Sequence, residues 1–163
     1  MQTRGNFAPM DSKQITSQQH ALVYAAKICP YCGESTELTD ASESPNTMYG
    51  KRYICRPCGA WVGVHAGTEQ SLGSLANAEL RSLRMLAHNW FDPIAKEGLI
   101  DDFYTVYVAG MSTRAKAYHW LAHEMNIKPE YCHIGMFNEA ECQQVVAICQ
   151  PIVERLDGSG DIW

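Results

Sequence analysis

Seven cysteines punctuate a chain of 163 residues, and four of them fall into two matching frames. Cys29-Pro30-Tyr31-Cys32 and Cys55-Arg56-Pro57-Cys58 are C-x-x-C pairs separated by residues 33–54. Each pair encloses one proline and is followed directly by a glycine, Gly33 or Gly59. Two thiolates three positions apart on a tight turn span one edge of the tetrahedron that Zn²⁺ prefers, and a second pair supplies the opposite edge. The proline fixes part of the turn. The glycine reaches the positive φ that turns backbone N–H groups toward the sulfurs.

A thioredoxin-type redox site would need a single C-x-x-C in a βαβ setting, which two pairs in this frame do not match. Disulfides are disfavoured as well. The cysteine count is odd, and residues 1–10 have no apolar run of the secretory kind, so a reducing, cytoplasmic compartment is expected. One structural zinc per chain, held by Cys29, Cys32, Cys55 and Cys58, is the resulting prediction. Four protein ligands close the shell, so this metal should not be catalytic. A module of about forty residues has little core of its own. Metal binding, worth about 10–16 kcal/mol in small zinc modules, would supply its folding energy.

The elements that must position these ligands follow from pattern. Between the pairs lie turn residues at 42–46 and a β-favouring run over 48–54; Ala60 to His65 reads as another short strand. Knuckle, hairpin, knuckle and strand make a zinc ribbon. Residues 71–91 then take helical spacing through Ala76, Leu80, Leu83, Ala87 and Trp90, with Ser74 as N-cap and Asp92-Pro93 as the stop. A second helix starts at Ser112 or Thr113 and ends near Asn126, with Ala115, Tyr118, Leu121, Ala122 and Met125 as its apolar face. A third begins at Asn138 with Glu141 three positions on, a capping-box start, and Pro151 should kink or end it. The fold class is therefore α+β, an N-terminal four-cysteine zinc ribbon packed on a small three-helix unit. Its parts are an extension over 1–26, the ribbon over 27–70, and a helical unit over 71–156 holding a connector or hairpin at 94–110. A flexible tail over 157–163 completes the chain.

Charge narrows the partners. The net charge is −5, and residues 129–163 alone carry one Arg against six acids, which accounts for all of it. Proteins that coat duplex DNA usually show a basic excess. No run approaches the roughly 18 apolar residues of a membrane span. A local patch remains on the ribbon. Alternation puts Tyr49, Lys51 and Tyr53 on one face, with Arg56 nearby, a set that could stack single-stranded bases and meet phosphates. An ordinary hairpin whose tyrosines pack on their neighbours fits the same residues.

Further polar residues invite the same weighing. His65, Arg84, His88, Arg114 and His133 would make a pocket for an anion if they converged; separately they would serve as caps and buried partners. Cys132-His133 looks like a nucleophile and base, but adjacent residues rarely face each other and no orienting third residue is evident. Cys142 and Cys149 fall on the apolar face of the third helix. His119 and His123 are followed by Glu124, which does not reproduce the H-E-x-x-H order of zinc proteases.

Several blocks together resemble a known pattern. C-P-x-C-G is Cys29 to Gly33, and C-x-x-C-x-A-x-V-G-x-H is Cys55 to His65. L-G-x-L-A-N-A-E-L-R is Leu72 to Arg81, R-x-x-A-H-x-x-F-D is Arg84 to Asp92, and C-H-I-G-M-F is Cys132 to Phe137. Over roughly residues 27–150 the chain resembles a zinc-finger-containing family of bacteriophage and bacterial proteins. One departure is Ile94-Ala95, where members often carry Leu-Trp. The resemblance implies zinc binding and a phage setting, and brings no catalytic residue with it. The leading functional expectation is a non-enzymatic zinc-binding accessory or regulatory protein acting on nucleic acid, single-stranded rather than duplex, or on a host protein. A small enzyme using the His/Arg set on a phosphorylated or nucleotide substrate is one alternative. A host-directed inhibitor is another.

Overall fold

The structure, a computed structural model, describes residues 17–40, 50–97 and 110–158. The turn expected at 42–46, Tyr49, and residues 98–109 of the 94–110 connector lie outside the described residues, as do 1–16 and 159–163. The architecture is α+β, with a small three-stranded sheet and helices. The chain divides into two compact units, residues 1–82 and 83–163. Among the described residues, no helix is long and apolar enough to cross a membrane.

In the first unit, helix α1 (Ser17–Tyr24) leads into the first C-x-x-C turn. Strands β1 (Glu37–Thr39), β2 (Arg52–Ile54) and β3 (Trp61–Gly63) follow, antiparallel in the order β1-β2-β3. Tyr53 stands opposite both Leu38 and Val62, and Ile54 opposite Glu37 and Trp61. The period-two rule then assigns the faces. Leu38, Tyr53 and Val62 point into a core with Cys29, Cys55, Ala60 and Leu75, while Arg52, Ile54 and Trp61 share the opposite face. After β3 the chain runs back beside it: Ala76 and Trp61 exchange two backbone hydrogen bonds of 3.1 Å.

That pairing holds residues up to Ala76 extended, so helix α2 (Ala78–Glu97) starts later than Ser74. Asn77 is the cap, its Oδ1 accepting the Leu80 N–H at 2.9 Å, and Ser74 is buried. Nor does Pro93 end the helix. A proline one turn before the helix end removes one hydrogen bond, and burial of Ile94 and Ala95 beyond it favours continuation.

In the second unit, α3 (Thr113–Met125) is capped by Ser112, whose hydroxyl accepts from Ala115 N at 3.2 Å, and closed by Asn126 at φ 54°. Its buried face is Ala117, Trp120, Leu121, Ala122 and Met125, rotated slightly from the expected stripe. Two single 3₁₀ turns, Pro129–Tyr131 and Ile134–Met136, carry the loop to α4 (Glu139–Gly158). The capping box is reciprocal: Glu141 N–H donates to Asn138 Oδ1 at 2.9 Å, and Asn138 N–H to Glu141 Oε2 at 3.0 Å. Cys142, Val145 and Cys149 are buried, and the helix passes through Pro151 to Gly158. Arg155 Nε donates to the Pro151 carbonyl at 3.1 Å.

Candidate metal centre

The two C-x-x-C turns are built alike. Gly33 N–H donates to Cys29 O at 2.8 Å and Gly59 N–H to Cys55 O at 2.7 Å. Cys29 N–H then bonds Glu34 O, and Cys55 N–H bonds Ala60 O. The glycines sit at φ 74° and 71°, the left-handed conformation each turn needs. Tyr31 N–H points at Cys29 Sγ, 3.4 Å away.

These two turns bring the sulfurs of Cys29, Cys32, Cys55 and Cys58 within 4.8 Å of one another. Cys32 and Cys55 stand 3.6 Å apart. Four sulfurs about 2.3 Å from a tetrahedral zinc would be about 3.8 Å apart, so one ion fits with small adjustments. Cys29 and Cys55 are buried, and Cys58 is exposed. Burial opposes ionisation of these thiols in the absence of a cation. Burial drives the Cys29 thiol far above its ordinary pKa, and burial with thiol neighbours raises Cys58 to about 11. Desolvation opposes ionisation of Cys32 too, but the Glu34 N–H and donations from the other three thiols outweigh it and lower its pKa. A dication at the centre would offset the mutual repulsion of four thiolates and the cost of burying them. The residues present therefore suit one zinc ion, and when bound it would cross-link the two turns.

A zinc-finger-containing domain family matches residues 25–152, most of the chain. The chain belongs to this family. Neither the curated proteins nor the solved structures contain a significant match to it. In this zinc-finger-containing domain the expected ribbon, cysteine cluster and single metal site stand together in one unit.

The other candidate residues are placed differently from the sequence expectation. Tyr53 is not available to stack a base: it is 6% exposed and its hydroxyl donates to the Glu69 carbonyl at 2.7 Å. Lys51 is paired with Glu69 at 3.0 Å. Arg56 makes a two-pronged pair with Glu37, at 3.1 and 3.2 Å, which lowers that carboxyl's pKa. The set Tyr49, Lys51, Tyr53 and Arg56 is thus not an open basic platform in its described members.

The His/Arg set also separates. His65 is exposed on the first unit. Arg84 is 8% exposed, and its Nε donates to the Phe137 carbonyl at 3.0 Å, so it fastens the loop before α4. His88, Arg114 and His133 are linked through Asp92 and Tyr118. Asp92 Oδ1 lies 3.2 Å from His88 Nδ1 and 3.1 Å from Arg114 Nη2. The Arg114 guanidinium sits over Tyr118, whose ring is 4.8 Å from His133. Desolvation, then the Arg114 charge, lowers the His133 pKa. Asp92 was legible as the i+4 neighbour of His88. Cys132 gives no reactive thiol: burial pushes it up to about 12.

A cation–aromatic group absent from the sequence reading lies on the outward sheet face. Arg52 and Arg81 both approach the Trp61 ring, at 5.1 and 4.4 Å from its centroid. No motif announces it, because β2, β3 and α2 each contribute one residue.

Proposed function

We propose that the chain is a non-enzymatic, zinc-binding accessory or regulatory protein that works by holding single-stranded nucleic acid on its ribbon. The observation that carries the non-enzymatic part is the donor set at the metal. Four sulfurs close a tetrahedral shell and leave no position for a water or substrate. The metal's task is then to fold the module, and the module's task is to present a surface.

Support for a nucleic-acid partner is local. The acidic excess sits in residues 129–163, while residues 27–60 balance four bases against four acids. Long-range steering is therefore weak, and affinity rests on a few direct contacts. Two phosphate contacts on a single strand would give a salt slope of only about −1.4.

The test is fluorescence anisotropy of labelled oligothymidylate and oligouridylate at low salt, with zinc-loaded and chelator-treated protein. Binding by the loaded form that disappears on chelation is the expected result. Absence of binding by loaded protein at high micromolar concentration would remove nucleic acid and leave a protein partner, such as a host factor, as the reading.

A further inference from the structure

We propose that Arg52, Trp61 and Arg81 form the contact point for one nucleotide of a single strand. The guanidiniums take the phosphate, and the base stacks on the guanidinium–indole pile. This deepens the nucleic-acid reading above and rests on it.

The ribbon treats its cations unequally. Lys51 and Arg56 each face a glutamate. Arg52 and Arg81 converge on one indole, and among the described residues neither has a carboxylate partner. Two like charges at one ring repel. Burial lowers the Arg81 pKa, and the Arg52 charge lowers it further. Only part of their hydrogen-bonding capacity is met at home. Arg81 Nη1 donates to the Ala76 carbonyl, and Arg52 Nε is buried without an acceptor. An anion at this point would relieve the repulsion and accept from the outer guanidinium N–H groups.

The aromatic component selects among anions. Trp61 is half-buried and held in place by its paired backbone bonds to Ala76. Each nucleotide of a single strand presents a phosphate beside a flat π surface. Bases stack on indoles and on the planes of arginine guanidiniums alike. A duplex hides those π faces, and an acidic peptide offers the charge without them.

The experiment uses the full zinc-loaded chain and labelled oligothymidylate. Arg52→Gln and Arg81→Gln should each weaken binding about five- to tenfold and flatten the salt slope by about 0.7. Trp61→Leu should weaken it about tenfold. Lys51→Gln and Arg56→Gln should stay within about twofold of the unaltered protein, since those cations are already paired. Unaltered affinity in both arginine variants would overturn the site while leaving the nucleic-acid reading in place. Failure of the unaltered protein to bind would overturn the reading itself. Should a variant lose its zinc or its thermal transition, the Trp61 indole N–H resonance of the unaltered protein decides. It should shift on oligonucleotide addition, and binding without that shift would contradict the site. A polyglutamate binding as tightly as the oligonucleotide would show that charge alone is read, and would also overturn the proposal in favour of an acidic polypeptide.

Discussion

Arg84 and Tyr53 show what single polar side chains do in this fold. The Arg84 guanidinium is nearly buried and serves the Phe137 carbonyl. Removing it as Arg84→Ala orphans a buried acceptor, at a cost of about 1–3 kcal/mol. The melting temperature should fall by several degrees, and a thermal melt that does not move would contradict this placement. Tyr53→Phe removes only the 2.7 Å bond to Glu69 and should cost about 1 kcal/mol, read by urea denaturation of zinc-loaded protein. Tyr53→Ala, which also empties the core, should cost about 3–5 kcal/mol. The same residue shows where sequence reading ends. Alternation groups alternate positions of a strand on one face, but it does not say which face meets the core. One step of parity exchanges Tyr53 for Arg52 and Ile54. What decides it is the packing of Leu38, Val62 and the two buried cysteines, which only the fold supplies.

Among the elements, those fixed by local chemistry were the legible ones. Each C-x-x-C turn is closed by its own backbone bonds and glycine, so its spacing in sequence already contains its geometry. Gly33→Ala tests this. An added Cβ would meet nothing within 4 Å, so the substitution reports backbone conformation alone. The left-handed φ of 74° should cost about 1–2 kcal/mol and weaken zinc retention against a chromophoric chelator. Retention equal to the unaltered protein would show that the turn does not need that conformation. The Ser112 and Asn138 caps were readable for the same reason, as side chains bonding a backbone three residues away. The ends of α2 were not. Its start is set by the bridge between Trp61 and Ala76, and its continuation past Pro93 accompanies the burial of Ile94 and Ala95. These are tertiary effects that override a cap candidate and a breaker. The Arg52–Trp61–Arg81 group was illegible for the same reason.

At the scale of the whole molecule, the seven cysteines divide by environment into two chemical classes. Burial raises Cys132, Cys142 and Cys149 to about 12 each, led by desolvation in every case. A thiol of that pKa is ionised in only on the order of one molecule in ten thousand at pH ~8. Native zinc-loaded protein treated with iodoacetamide should therefore leave these three unlabelled. Chelation should open Cys29, Cys32, Cys55 and Cys58 to reaction, as mass spectrometry of the peptides would show. Labelling of Cys132 before unfolding would contradict its burial. X-ray absorption at the zinc edge, together with elemental analysis of the purified chain, reads whether four thiolates hold one zinc and complete its shell. One zinc per chain with four sulfur neighbours at about 2.3 Å is the expected result. A nitrogen or oxygen atom in the first shell, or fewer than four sulfurs, would contradict it.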